Sequence, residues 1–256
     1  MYLTSFGLAN RDWYGYEELY SFREFDYVPK GINNATLFGY EINQFLGGRF
    51  YFGETVNYNH DYPKFGFMQN ELSVGTFLRK KTFEQITVQN SNKYFTKRYP
   101  LGKLGFRQFL NTTTTLSFKR PYSEFYNIGT TALKGFNSQK LIGTKSFVLN
   151  LESVFYTPIK WWTSRGNFFF FADFAWITDN DKELVFNSTF NHGYGLGIRF
   201  QNRVLGIEFL EVSFGIYPNG PIYGEKIWGY QVGDFRDKSS VQTQNLYKYN
   251  ILKDIY

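Results

Sequence analysis

A strict alternation of side chains constrains this chain more than any other feature of its sequence. In GYGLGIRF, residues 193–200, three glycines and Arg199 alternate with Tyr194, Leu196, Ile198 and Phe200. Successive side chains of a β-strand point to opposite faces, so the segment is predicted to form a strand with one apolar face and one small or polar face. The same pattern recurs in GGRFYFGETVNYN, ELSVGTFLR and LNTTTTLSFK.

The alternation runs from end to end and predicts about twelve β-strands. They lie at residues 2–9, 14–25, 34–43, 48–59, 66–79, 83–96, 104–119, 144–156, 167–178, 192–201, 205–217 and 227–234. Asn33-Asn34 is interpreted as a turn before the third of these strands. Because no segment shows a helical period and most connections are short, the sequence predicts an antiparallel meander.

The composition favours a membrane barrel. Aromatic residues make up 22% of the chain, with 30 Phe and 21 Tyr, although the mean hydropathy is only -0.39. Every apolar run is interrupted well before the length of about 18 residues that a transmembrane helix needs. Short alternating segments rich in aromatic residues and glycine are typical of transmembrane β-barrels. The predicted fold class is therefore all-β, a transmembrane antiparallel β-barrel.

A soluble β-sandwich or lipocalin-like barrel stays open as an alternative, because alternation does not distinguish the inside of a sheet from its outside. The polar faces carry Gly, Asn, Thr, Glu and Arg, which suit a wet lumen. The apolar faces carry Phe and Tyr, where a soluble core more often uses Val, Ile and Leu. These compositions favour the membrane barrel.

Charge, cysteine content and motifs narrow the functional classes. The net charge is +6, but Lys and Arg are scattered singly, so no nucleic-acid partner is predicted. There is no Cys, and hence no disulfide or thiolate site. The sequence contains no His-Glu-x-x-His, Gly-x-Ser-x-Gly or Gly-rich phosphate-loop motif. We therefore expect a protein that is not an enzyme and that uses no cofactor and no metal.

The alternation also outlines the domain organisation. A single β-barrel domain is predicted at residues 1–234, followed by a polar tail at 235–256. Residues 120–143, RPYSEFYNIGTTALKGFNSQKLIG, do not alternate and form the longest polar stretch between strong strands. Long loops within compact domains are usually functional or disordered, so this loop is a candidate functional element. The tail is interpreted as disordered, or as a segment that folds against another chain.

The second half of the chain resembles a known family. LKGFNSQKLIGTKSFVLNLESVFY resembles a region of the BamA/TamA superfamily of outer-membrane barrels, the bacterial surface antigen domain. In that family a long extracellular loop with a Val/Leu-Arg-Gly-Phe/Tyr motif folds back into the lumen, ahead of a strand that contains a Glu. FFFFADFAWI, HGYGLGIRF and LGIEFLEVSFGIYP resemble the strands that follow. In order and spacing the resemblance covers roughly residues 130–218.

The resemblance implies roles for five residues. Lys134, Gly135 and Phe136 correspond to the loop motif, and Glu152 and Asp173 correspond to the wall carboxylates that receive its cation. The parity of the strands agrees, because it places both carboxylates on the polar faces of neighbouring strands. The sequence departs from the family twice: a lysine stands where the family has arginine, and an alanine, at position 175, where it has glycine.

The resemblance further implies a bacterial outer-membrane location and a role in the insertion, assembly or translocation of outer-membrane proteins. The expected partners are the lipid bilayer, client outer-membrane proteins and assembly partners.

Members of the family usually have sixteen strands that follow periplasmic POTRA domains. Since this chain shows about twelve strands and no visible signal peptide, we predict a C-terminal portion of a longer protein or a short member. A twelve-stranded barrel closed on itself, acting as a passive channel or a surface-exposed scaffold, is the alternative, and a soluble lipocalin-like binder is a further one.

Overall fold

The structure, a computed structural model, describes residues 2–19, 25–43, 47–120, 126–128, 132–161, 164–180, 182–202, 204 and 207–233. These residues contain β-strands and two short 3-10 turns, Val185–Asn187 and Gly220–Tyr223, and no α-helix. Among them, no helix has the length and apolar character needed to cross a membrane. The polar tail predicted at 235–256 lies outside the described residues.

The strands follow one another along the chain with short connections, apart from the predicted loop. They are β1 (Tyr2–Glu17), β2 (Phe25–Asn43), β3 (Gly47–Tyr62), β4 (Gly66–Arg79), β5 (Thr82–Thr96), β6 (Tyr99–Leu101), β7 (Leu104–Phe118), β8 (Tyr126–Asn127), β9 (Ile142–Gly143), β10 (Lys145–Trp161), β11 (Ser164–Thr178), β12 (Thr189–Asn202), β13 (Ile207–Ile216) and β14 (Trp228–Gly233).

Twelve of these strands form one antiparallel sheet, which confirms the predicted all-β class. The order is β1-β2-β3-β4-β5-β7-β10-β11-β12-β13-β14, with β6 paired to β7, and β8 and β9 form a separate ribbon inside the loop. Among the described residues the sheet is not closed into a barrel, so the structure shows an open antiparallel sheet and not the predicted barrel. In the described residues the two edge strands differ in length, with 16 residues in β1 and 6 in β14.

The prediction was wrong for the first two strands and for the turn at Asn33-Asn34. β1 continues as one strand through residues 10–13, because it pairs with β2 along its whole length from Tyr2 to Glu17. Both asparagines lie within β2. The Asn33 side chain is buried on the inner face, and the Asn34 side chain donates a hydrogen bond to Glu54 of β3. Both asparagines are therefore paired residues in the middle of a strand, and they do not form a turn.

The two faces of the sheet have opposite character. On β3 the inward side chains include buried Thr55 and Asn59, whereas the outward Phe50 is 53% exposed. On β12 the inward Arg199 is buried, whereas the outward Leu196 is 54% exposed. The inner face thus buries many polar side chains beside its aromatic ones, and the outer face exposes many large apolar side chains, which is unusual for a soluble protein.

Part of the outward face is polar. Midway along β2–β7, outward amides and hydroxyls hydrogen-bond to one another across the strands. Asn92 receives a hydrogen bond from Asn70 and donates to Asn90 at 2.6 Å and to Thr112 at 3.2 Å. Thr36 donates to the outward Glu54 at 2.7 Å. The outward positions of β10–β13 instead carry mainly aromatic and aliphatic side chains, such as those of Phe170, Leu196, Ile198 and Phe214.

The sheet curls around its inner face, because side chains from strands far apart in the order meet there. The Tyr16 ring at the end of β1 lies 4.9 Å from the Phe95 ring of β5 and 6.1 Å from the Phe67 ring of β4, measured between centroids. This apolar cluster continues to Phe169 and Phe171 of β11. The inner space at this end is therefore packed with aromatic side chains.

Candidate loop-anchoring site

The described part of the loop packs against the inner wall of the sheet. Its apolar side chains join buried residues of β10 and β11 and Tyr217 in one cluster, made up of Ile128, Ala132, Leu133, Phe136, Leu141, Val148, Ala175, Ile177 and Tyr217. Ala175 is fully buried within it, so the structure accommodates its methyl group. The rest of the predicted loop, including residues 121–125 and 129–131, lies outside the described residues.

The backbone of the loop is held at Lys134. Its N–H donates to Oδ2 of Asp173 at 2.6 Å, and its carbonyl accepts a hydrogen bond from the Tyr217 hydroxyl. Asn150 Nδ2 donates to Asp173 Oδ1 at 2.7 Å and to the carbonyl of Ala132 at 2.8 Å. A carboxylate with no exposed surface is thereby satisfied by donors from the loop and from the neighbouring strand.

The side chain of Lys134 enters a buried group of charges. Its Nζ lies 3.1 Å from Glu152 Oε2 and 2.5 Å from Glu211 Oε1. Arg199 joins the same two carboxylates from the other side, with Nη2 at 2.5 Å from Glu152 Oε1 and Nε at 2.7 Å from Glu211 Oε2. We call Lys134, Glu152, Arg199 and Glu211 the loop cluster.

The loop cluster has no net formal charge, with two cations and two carboxylates that alternate around a ring. Each carboxylate contacts both cations, and Glu152 and Glu211 use different oxygens for each. Buried charges are tolerated when they are paired and hydrogen-bonded, whereas removal of one partner leaves an uncompensated charge. The strands alone supply one cation and two carboxylates, so the cluster is neutral only when the loop lysine is present.

An aromatic ring forms the floor of the loop cluster. The ring of Phe169 on β11 lies 4.5 Å from Lys134 Nζ and 4.2 Å from Arg199 Cζ, both measured to the ring centroid. Cations over a ring face are attracted by its quadrupole. Phe169 is opposite Gly197 in the sheet, and a Cβ at Gly197 would lie 2.4 Å from the Phe169 ring. Gly195 makes the same room for Phe171, which explains the alternating glycines of β12.

Gly135 and Phe136 complete the loop motif. Gly135 has φ of +74°, a left-handed conformation that favours glycine, and a Cβ there would lie 2.8 Å from the Tyr217 hydroxyl. The Phe136 ring is buried, 5.2 Å from the Tyr217 ring and 6.4 Å from that of Tyr223. Burial raises the pKa of the Tyr223 phenol above its ordinary value, because the ionised form would lose its hydration.

The structure brings together all five residues that the resemblance singled out, but it divides their contacts differently. Glu152 contacts the ammonium of Lys134, as expected, and the second carboxylate at the ammonium is Glu211. Asp173 accepts the backbone N–H of the same lysine. Arg199 and Glu211 were missed, although alternation placed Arg199 on the polar face. The pairing of Arg199 with Glu211 depends on the register between β12 and β13, which places these two residues directly opposite each other and which alternation does not determine.

Comparison with known proteins gives no match to a protein-family model and no significant match to a curated protein. The relationship to the BamA/TamA superfamily therefore stays a prediction. Among the described residues, no group of three or more His, Asp or Glu side chains is arranged to hold a metal ion. What the site can do chemically is hold the loop to the wall through charge and hydrogen bonding.

Proposed function

We propose that this chain is a membrane-embedded β-sheet protein of the BamA/TamA type, located in the bacterial outer membrane. In this proposal it is not an enzyme and serves the assembly, insertion or translocation of other outer-membrane proteins. The observation that carries the proposal is the anchoring of Lys134, from an inward-folded loop, in a buried charged cluster on the inner wall. That is the contact implied by the family resemblance, although its second carboxylate is a different residue.

The character of the two faces supports the membrane location. Apolar outward side chains on β10–β13 suit contact with lipid, and polar inward side chains suit a lumen. The outward amides of β2–β7 hydrogen-bond to one another, which reduces the cost of placing them in an apolar environment. The proposed direct partner of this face is therefore the lipid bilayer.

The open edges support the proposed role in assembly. In the described part of the chain, β1 pairs only with β2, and β14 pairs only with β13. An edge strand presents unpaired N–H and C=O groups that can bind an added strand. A client outer-membrane protein would dock by extending the sheet at such an edge, while the anchored loop keeps the inner wall in one conformation.

Purification and an insertion assay test the proposal. We expect the protein to need detergent and, in liposomes, to accelerate the folding of a urea-unfolded eight-stranded outer-membrane barrel. The matched variant is Lys134→Met, which should lose most of this acceleration while still entering the membrane. A protein that stays monomeric in solution without detergent would instead identify the lipocalin-like alternative.

A plugged or passive barrel is the second candidate, and the packed interior favours its plugged form. The loop and the aromatic cluster around Tyr16 and Phe95 fill adjoining parts of the inner space, and Phe169 contacts both. Planar-bilayer conductance separates the two candidates. A stable open pore with no effect on client folding would favour the passive channel, and a closed protein that accelerates client folding would favour the assembly role.

A further inference from the structure

The end of β1 is tied across the interior to strands that are not its neighbours. Arg107 of β7 is 1% exposed, and four strands separate it from β1 in the sheet. Its Nη2 donates to the carbonyl of Glu17 at 3.1 Å, and its Nη1 donates to the carbonyl of Glu18 at 2.9 Å. A guanidinium that would ordinarily bind a carboxylate is here directed at two successive backbone carbonyls.

The remaining donors of Arg107 fix its own position. Nε donates to the carbonyl of Thr96 at 3.1 Å, and Nη1 also reaches the Tyr156 hydroxyl at 3.1 Å. Arg98 adds a salt bridge to the side chain of Glu18. Charge-assisted hydrogen bonds of a buried arginine are stronger than neutral ones, so these contacts fix the turn as well as the arginine.

Apolar packing holds the same turn. Leu19 is buried in the aromatic cluster with Tyr16, whose hydroxyl also binds Asp61 of β3. The Leu19 N–H donates to Asp26 Oδ2 at 3.0 Å, which links the turn to the start of β2. Glu18 and Leu19 are therefore buried and covered by other side chains. We call Glu17, Glu18 and Leu19 the strap.

We propose that the strap controls the open edge strand β1. One end of β1 is fixed by Arg107 to the middle of the sheet, whereas the rest of the strand is exposed on both faces and bonded only to β2 among the described residues. Release of the strap frees the strand that would accept an incoming strand. This inference rests on the proposed function for its consequence, but the strap itself is a property of the fold. The strap and the anchored loop use different charged groups, and Phe169, which lies in the aromatic cluster with Leu19 and under the Lys134 ammonium, contacts both regions.

Hydrogen exchange of the full chain in detergent micelles tests the strap. Arg107→Met keeps the stem and removes all donors, and we expect exchange of the backbone amides in β1 to rise at least about tenfold, with β12 and β13 unchanged. The matched control is Arg49→Met, another buried arginine over an aromatic ring, which should leave β1 unchanged. Leu19→Asp should also raise exchange in β1, because it places a carboxylate in the aromatic cluster while Arg107 stays intact. Its control is Leu19→Met, which should have little effect on exchange in β1.

The outcomes separate the two proposals. Unchanged protection of β1 in both Arg107→Met and Leu19→Asp would overturn the strap, and so would an equal rise throughout β10–β13, since Arg107 would then be an ordinary core residue. A rise confined to β1 and β2 supports it. If the protein enters membranes and accelerates client folding but β1 stays protected, the strap alone fails. If β1 is released but client folding is never accelerated, the assembly role fails and the strap stands.

Discussion

The inner face carries two groups of paired charges, which differ in the segments of the chain that supply their residues. The strand cluster consists of Glu41, Arg49, Arg79 and Glu84, one residue from each of β2, β3, β4 and β5. The loop cluster also has two cations and two carboxylates, but one cation, that of Lys134, comes from outside the sheet. Both sets lie against an aromatic ring, Phe77 in the first and Phe169 in the second.

The difference lies in burial and in sequence distance. Glu84 of the strand cluster is 30% exposed at its side chain, whereas Lys134 and Glu211 are 1% and 2% exposed. Glu41 and Arg49 face each other across one hairpin, so folding of the hairpin brings them together. The loop cluster forms only when a loop docks against four strands. We infer that the strand cluster stabilises the pairing of neighbouring strands. The charges of the loop cluster, in contrast, balance only when the loop is docked against the inner wall.

The sharpest test of this difference is Lys134→Met. Removal of the ammonium leaves Glu152 and Glu211 sharing Arg199 in a buried site, so we expect a loss of about 3–5 kcal/mol in the free energy of unfolding. Urea unfolding in detergent, followed by tryptophan fluorescence, measures it. Lys134→Arg is the control, because it keeps the charge, and it should cost less than about 1.5 kcal/mol. Equal losses in the two variants would show that the charge does not matter.

The corresponding change in the strand cluster is Arg49→Met, with a smaller expected effect. Arg49 binds Glu41 with two nitrogens and Gln85 Oε1 at 3.0 Å, but water reaches Glu84 and can compensate for a lost cation. We expect a loss of about 1.5–3 kcal/mol, measured in the same way. A loss as large as that of Lys134→Met would remove the distinction between the two clusters.

A pair of glycines compares the turns beside the two clusters. Gly135 and Gly47 have almost the same φ, +74° and +76°, but only Gly135 has an atom, the Tyr217 hydroxyl, where a Cβ would lie. We expect Gly47→Ala to cost about 1 kcal/mol from backbone strain alone and Gly135→Ala to cost about 1 kcal/mol more. Thermal unfolding of the two variants measures the difference. Equal costs would mean that Tyr217 moves aside freely.

The two clusters also mark how much of the site the sequence could predict. Parity and resemblance placed Lys134, Glu152 and Asp173 on one inner surface, because alternation is a local property that each strand carries by itself. They could not identify Glu211 as the second partner of the ammonium, because that depends on the register of β13 against β12 and on the reach of a side chain across β11. The contact of Arg107 with two carbonyls has no sequence signature at all, since backbone acceptors occur at every residue.

The same limit explains the errors in the fold. Residues 10–13 are predicted as a break between two strands, yet pairing of all sixteen residues of β1 with β2 overrides that local preference. Closure of the barrel was a global expectation drawn from composition, and composition carries no information about which strands lie at the edges. The class and most strand positions follow from periodicity, whereas edges and registers follow from contacts between distant segments.

Salt is expected to produce the smallest effect. The screening length falls from about 10 Å at 0.1 M salt to about 3 Å at 1 M, and screening acts on charges that water reaches. The penalty of Arg49→Met should therefore shrink by a few tenths of a kcal/mol, about 0.3–0.5, between these salt concentrations, because Glu84 is partly exposed. The penalty of Lys134→Met should stay constant, because its partners are shielded by the loop and by Phe169.

The measurement is the difference in unfolding free energy between each variant and the unmodified protein at both salt concentrations. A decrease of the Lys134 penalty with salt would mean that water enters the loop cluster, and that the loop leaves the wall often enough for ions to reach it.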